Sequence, residues 1–331
     1  MCDILSIGGE PIFDDRIVRI ETHTYNPYAN TMFGNSDEIR IPIQQQDLYT
    51  LPCDSFLYVE DRLESKEAPS AQGEIASVTR LVNNSAAFMF EEFRYELDGC
   101  SVEIDRNRNV GITSTIKNYA SLTVERSKTL KNAGWDLLAT THSSIADFNF
   151  CVPLNVLLGF CEDYKRVSTN KHSWAVKAAT QLEKPRYVIF ALQSGKKNVL
   201  SEEPSLFDNC KLTNVKLYLN SDFYPYDDMN LDFDKHKVAV LYDMYSKFRK
   251  TYYGCDNDEA LLNLNKFLTH GPLVVIDCSR QNESIKSPTV DVRLEFDCKE
   301  NIPSNITAYC LIIHDRVVEY NPLTNVVRRI V

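Results

Sequence analysis

Apolar and polar positions alternate along several short stretches of the chain, the period of a half-buried strand. Over residues 38–43 the side chains of Ile39, Ile41 and Ile43 share one face and Arg40 and Pro42 the other. Residues 55–62 contain Phe56-Leu57-Tyr58-Val59 and predict another strand. Further strands are expected over 13–21, around Ile17-Val18-Arg19-Ile20, and over 79–82, 86–97 and 101–104, with a tight turn at Asp98-Gly99. The period then changes. Over 113–132, Ile116, Tyr119, Ala120, Leu122 and Leu130 are separated by polar residues, which predicts a helix with Gly134 as its stop. The stretch 148–160 is strongly apolar, but Pro153 argues against one continuous central strand. A buried strand followed by a short helical turn fits it better.

The second half follows the same order. Residues 185–192 (PRYVIFAL) predict a strand, and 212–226 place Val215, Leu217 and Leu219 on one face. Residues 236–253 carry Val240, Tyr242, Met244, Tyr245, Phe248 and Tyr252, an amphipathic helix ending near Gly254. A short helix is expected over 259–268, then strands over 272–278, 290–296, 309–320 and 326–330, with a turn at 321–324. In each half a strand leads through a turn to a helix, a loop and another strand, the first copy starting at Arg94 and the second at Lys216. Two such copies in strand-rich halves suggest tandem duplicated β-sandwich domains.

Composition narrows the class. At 331 residues the chain suits about two domains of ~150 residues. Hydrophobic residues at 44% and charged residues at 25% describe a folded globule rather than a disordered chain. The net charge of −10 opposes general binding to nucleic acid, which requires a surplus of Lys and Arg. The short clusters Lys196-Lys197 and Arg328-Arg329 read as solvated strand or loop ends. The ten cysteines contain no CxxC pair, so they are expected to be small buried hydrophobes in a reducing setting. On that reading the sequons at Asn83, Asn282 and Asn305 are chance matches. The opening residues lack the basic and apolar regions of a secretory signal, and no apolar run reaches the ~18 residues of a membrane span.

Four constellations could carry chemistry. Asp228, Asn230, Asp232 and Asp234 resemble the start of a calcium loop, but Phe233 and Ala239 stand where such a loop needs Gly and Glu. An extended chain with these oxygens on a wet face and Met229, Leu231 and Phe233 on a buried one fits better. Cys278 and His314 could form a nucleophile pair, although both sit in apolar strands without a supporting motif. Asp61-Arg62 and Asp105-Arg106 read as salt-bridged strand ends. Phe223, Tyr224 and Tyr226 form an aromatic loop able to stack on a glycan or a protein. The scattered histidines and the absence of GxGxxG, GxxxxGK[ST] and GxSxG weigh against common enzyme classes.

Several strings taken in order carry a resemblance: ETHTYNPY (21–28), SDEIRIPI (36–43), RYEL (94–97), NVGITS (109–114), VPL with LGF (152–160), KPRYVIF (184–190), LYLNSDFYPY (217–226), QNESIK (281–286) and EYNPLTN (319–325). Together they resemble a family of double jelly-roll proteins encoded by virus-like elements integrated in invertebrate genomes, similar to double jelly-roll viral major capsid proteins. The resemblance implies an all-β fold of two tandem jelly-roll β-sandwiches with a few short helices in the connecting loops, divided at 1–166 and 167–331. It implies a structural role, not an enzyme: a homotrimeric, pseudo-hexagonal capsomer that tiles a higher-order shell, alone or with other capsid proteins. The expected location is a virion or virus-like particle, or the cytoplasm or nucleus of the host cell. No catalytic, cofactor-binding or metal-binding residue, no cofactor, no direct nucleic-acid binding and no membrane span is expected. Members of the family are longer between the parts matching 158–165 and 172–180. The missing stretch would supply the last strands of the first sandwich and the first strands of the second, leaving an open edge or one filled by a neighbouring chain. The alternative is a host-retained, capsid-derived sandwich that binds a protein or glycan without assembling.

Overall fold

The computed structural model describes residues 21–28, 37–43, 52–62, 81–97, 102–137, 147–158, 161–167, 171–176, 185–199, 201–220, 222–254, 259–279, 290–314, 317–321 and 326–330. The chain divides into two compact units, Met1–Pro52 and Cys53–Val331. In the first, the Tyr28 amide donates to the Arg40 carbonyl at 3.1 Å. The strand expected over 38–43 is not formed there: these residues run without a ladder, and Ile39, Ile41 and Ile43 are 37, 38 and 46% exposed. Alternation alone does not make a strand when no face is covered. The strands expected over 13–21 and 79–82, and the turns at 98–99 and 321–324, lie wholly or largely outside the described residues.

The second unit is built on a sandwich of two antiparallel sheets. Its strands are β5 (Cys161–Val167), β6 (Lys171–Val176), β7 (Pro185–Ser194), β8 (Leu212–Leu219), β9 (Asp222–Tyr224), β10 (Val274–Asp277), β11 (Val292–Cys298) and β12 (Ile306–His314). One four-stranded sheet has the order β10-β7-β12-β5 and the other β6-β11-β8-β9. Each sheet draws strands from both ends of the segment and every ladder is antiparallel, which is the jelly-roll connection. β5 and β6 take the first two places of this sandwich, strands that the family resemblance implies are missing. The boundary expected at 166/167 falls at the end of β5.

Side-chain pattern explains the layering. β7 is almost continuously apolar and buried on both faces. Phe190 meets Phe296 of the opposite sheet with ring centroids 4.8 Å apart. Tyr187, on the other face, packs edge-on against Phe248 at 5.1 Å. Phe248 belongs to α5 (Ala239–Tyr253), which buries Leu241, Tyr245 and Phe248 along one side. The helix ends as predicted at Gly254, whose φ of 65° and bond to the Lys250 carbonyl form a left-handed cap. β8 and β11 instead alternate, burying Val215, Leu217, Leu219, Val292, Leu294 and Phe296 and turning the residues between them outward. The short helix expected over 259–268 is α6 (Leu264–His270), capped by Asn263. Residues 309–320, read as one strand, divide between β12 and β13 (Val317–Asn321), which pairs with β14 (Val326–Ile330).

The preceding residues repeat half of this plan. They form β1 (Phe56–Arg62), β2 (Glu92–Leu97), β3 (Val102–Arg108), α2 (Val110–Ser121) and β4 (Asp147–Pro153). β2 pairs with β3 and β1 with β4, both antiparallel. In the sandwich β8 likewise pairs with β9 and β7 with β10, and α5 lies between β9 and β10 as α2 lies between β3 and β4. The expected duplication is therefore present in the strand pairing as well as in the element order. The chain is all-β in its framework, with helices confined to connections. The single strand read over 86–97 resolves into α1 (Ser85–Phe88) and β2, because Ala86 and Ala87 fill the core as a helical turn. Residues 113–132 resolve into the end of α2, α3 (Val124–Thr129) and a 3-10 turn, stopped at Gly134 with φ 83°. β4 followed by α4 (Leu154–Leu157) matches the strand and helical turn expected over 148–160. The two repeats meet at their helices: the Tyr245 hydroxyl donates to the Tyr119 carbonyl at 2.8 Å, and Arg249 Nε donates to the Ser121 carbonyl at 2.9 Å.

Phe190 joins the two sheets and is fully buried. Phe190→Ala should lower stability by about 3–5 kcal/mol, read as a lower urea midpoint with the slope unchanged. A loss below about 1 kcal/mol would show that the sheets do not meet there.

Candidate functional site

The outward face of the β6-β11-β8-β9 sheet carries the most distinctive side-chain arrangement among the described residues. Register places Arg293 of β11 opposite Tyr218 of β8, and Tyr218 opposite Phe223 of β9. Side chains opposite one another share a face, so alternation in all three strands brings these groups into one row. The Arg293 guanidinium carbon lies 4.3 Å from the centre of the Tyr218 ring. Tyr218 and Phe223 are 6.1 Å apart, and Phe223 stacks on Tyr226 at 5.6 Å with the ring planes 14° apart. Lys216 Nζ sits 4.9 Å from the centre of the Phe223 ring and donates to the Tyr226 carbonyl at 3.0 Å. Phe223 is 39% and Tyr226 81% exposed, whereas Tyr224 is half-buried and belongs to the packing beneath.

The aromatic loop was legible in the sequence, but Tyr218 and Arg293 were not. Both are ordinary outward positions of alternating strands, and only the pairing of residues far apart in sequence brings them to the loop.

The aspartate-rich segment beside this row is held by lysines. Lys216 Nζ pairs with Asp228 at 3.0 Å, and Lys299 Nζ pairs with Asp234 at 2.9 Å. The hydrogen bonds from these lysines hold both carboxyls below their usual range. Met229 and Leu231 are buried and Phe233 half-buried, with Asp228, Asn230 and Asp234 exposed, so burial alternates as expected, but the backbone is not extended throughout: Asn230 has a left-handed φ of 48° and residues 233–236 form a turn. The oxygens thus face ammonium groups of the chain itself, and no metal-holding group of His, Cys, Asp and Glu occurs among the described residues.

Cys278 and His314 both end at Pro185. The Cys278 thiol donates to the Pro185 carbonyl at 3.2 Å, and His314 faces Pro185 in the β12–β7 register. Burial, with Asp277 adding to it, pushes the thiol up to about 12, so it is protonated at neutral pH. Cys298 and Cys310 are buried as well, while Cys151 and Cys210 are half-buried. Lys196 pairs with Asp208 at 2.9 Å and Lys197 with Glu91 at 3.1 Å. Arg62 approaches Asp147 at 3.7 Å across the β1–β4 ladder, a strand-end pair. Asn83 donates to the Ser205 hydroxyl and accepts from the Asp136 amide, engaging both ends of its amide group inside the fold. The side chains of Asp105, Arg106, Arg328 and Arg329, and all of Asn282, lie outside the described residues. No helix among the described residues is long and apolar enough to cross a membrane.

The double jelly roll-like domain family matches this sequence over residues 79–170 and again over 167–318, well over half of the chain. The two stretches overlap at residues 167–170. No curated protein matches the sequence.

Iodoacetamide applied at mildly alkaline pH should leave Cys278 unmodified in the native protein and label it readily in urea, as read by peptide mass spectrometry. Rapid labelling of the native thiol would overturn the buried, protonated assignment.

Proposed function

Because the chain belongs to the double jelly roll-like domain family, we propose that it is a structural protein, a capsid-like subunit that works by fitting copies of itself. The observation that supports this most is the duplication within one chain, with paired strands and a connecting helix in the same order twice. A two-lobed subunit repeated around a threefold axis presents a pseudo-hexagonal outline, and such outlines tile closed shells. The sandwich suits the load: β7 and its neighbours are buried on both sides, so lateral forces meet a packed core instead of a mobile loop. In this role the subunit is a homotrimer within a virion or virus-like particle, made in the cytoplasm or nucleus of its host cell, alone or with other capsid proteins. It requires no cofactor and no catalytic group.

Size-exclusion chromatography with light scattering should give a species of about three times the 37.9 kDa chain mass, and negative-stain images should show three-lobed or six-lobed particles. A strict monomer at all concentrations and salt conditions would contradict the proposal.

A further inference from the structure

β1 carries an open edge. The Leu154 amide donates to the Ser55 carbonyl at 3.0 Å, and that alternation, continued along the ladder, turns the main-chain groups of Leu57 and Val59 toward β4 and those of Phe56, Tyr58 and Glu60 away from it. No strand among the described residues takes these outward groups, because the sheet holds β1 and β4 alone. β7, the counterpart of β1 in the second repeat, has β10 on one edge and β12 on the other. The duplication thus shows what the outer edge of β1 lacks, which is one more strand. Phe56 and Tyr58 stand exposed on one face beside this edge. An unpaired edge flanked by exposed aromatic side chains is a template for a strand from elsewhere.

The first unit holds the converse, a strand pattern without a sheet. Residues 38–43 alternate and expose Ile39, Ile41 and Ile43, yet they form no ladder. The Arg40 carbonyl accepts from the Tyr28 amide at 3.1 Å, and Pro42 has no N–H to give. In an extended chain these two residues share one edge, while Ile39, Ile41 and Ile43 present N–H and C=O along the other. The complete set of donors and acceptors therefore lies on the isoleucine side, where it meets no main-chain partner among the described residues.

We propose that residues 38–43 of one copy add as a strand to the outer edge of β1 in a second copy. Run antiparallel, Ile41 comes opposite Tyr58 and Ile43 opposite Phe56, so the exposed isoleucine and aromatic side chains cover one another on one face. Main-chain hydrogen bonds supply the attraction, and this apolar face sets the register. The sequence itself supplies the occupant. Each copy carries both the strand and the edge, so each gives to one neighbour and receives from another, and a closed ring leaves neither exposed. The inference rests on the self-assembly reading above and names a contact through which copies join.

The test uses the full-length protein with the photo-cross-linking residue p-benzoylphenylalanine in place of Phe56 in one preparation and of Tyr58 in another. Illumination should give a covalent dimer of twice the 37.9 kDa chain mass on a denaturing gel, and peptide mass spectrometry should join the labelled position to residues 38–43. Ile41→Pro removes an N–H that points at the β1 edge and should lower the yield of this dimer at least about ten-fold. Ile41→Val keeps the N–H and the β-branched side chain and should preserve the yield. Ile41 lies in no ladder, so neither substitution should alter the circular dichroism spectrum. Unchanged yield in Ile41→Pro would overturn the inference. So would a dimer joined through another segment, or a cross-link to residues 38–43 within a single chain. A trimer by light scattering that gives no cross-link to these residues would overturn this contact and leave the capsid-like reading standing, whereas a strict monomer would overturn both.

Discussion

The burial of β7 on both faces is the constraint from which the rest of the second unit follows. Seven consecutive residues, Tyr187–Gln193, are buried and leave neither side of the strand facing water. One face is closed by the opposite sheet through Phe190 and Phe296, and the other by α5 through Tyr187, Phe248 and Tyr252. Each large apolar side chain removed from water in this way contributes about 1.5–3 kcal/mol against the cost of ordering the chain. With β7 central, β10 and β12 take its two edges, and the second sheet is left with one covered face and one wet face. That wet face is where the aromatic row stands.

The first repeat follows the same plan with a weaker apolar drive. β1 alternates where β7 does not, and Phe56 and Tyr58 remain 52% exposed. Buried polar bonds give this region much of its definition. Asn84 donates to Ser114 Oγ at 3.2 Å and to Thr115 Oγ1 at 3.1 Å, and Asn107 accepts from Thr113 Oγ1 at 2.7 Å. Asn84 and Asn109 hold left-handed φ angles of 60° and 49° at the entries to α1 and α2, conformations that asparagine tolerates better than most side chains. Satisfied networks of this kind specify one arrangement but leave little tolerance for loss of a partner. The two halves of the chain thus reach related topologies by different balances of burial and hydrogen bonding.

Much of this was legible in the sequence wherever local pattern and local burial agree. The helix ending at Gly254, the strand and turn around Pro153 and the repeated element order all follow from spacing and from stop residues. The strings KPRYVIF and LYLNSDFYPY, which carried part of the family resemblance, prove to be β7 and the β8–β9 hairpin with its aromatic loop. The pattern misled where it lacked information about neighbours. The isoleucines at 39, 41 and 43 alternate without a covered face, and Ala86-Ala87 reads equally well as strand or helix. The placement of β5 and β6 in the sandwich, and of Arg293 over Tyr218, depends on pairings between residues distant in the chain, which no local period encodes.

Amide hydrogen exchange of the intact protein, resolved by residue, addresses the central role of β7 most directly. Val188–Leu192 of β7 and their partners in β12 should be the slowest amides in the chain, exchanging only through global unfolding, with β1 and β4 opening at lower free energy. Exchange of β7 as fast as that of β1 would contradict the structure's dependence on this strand.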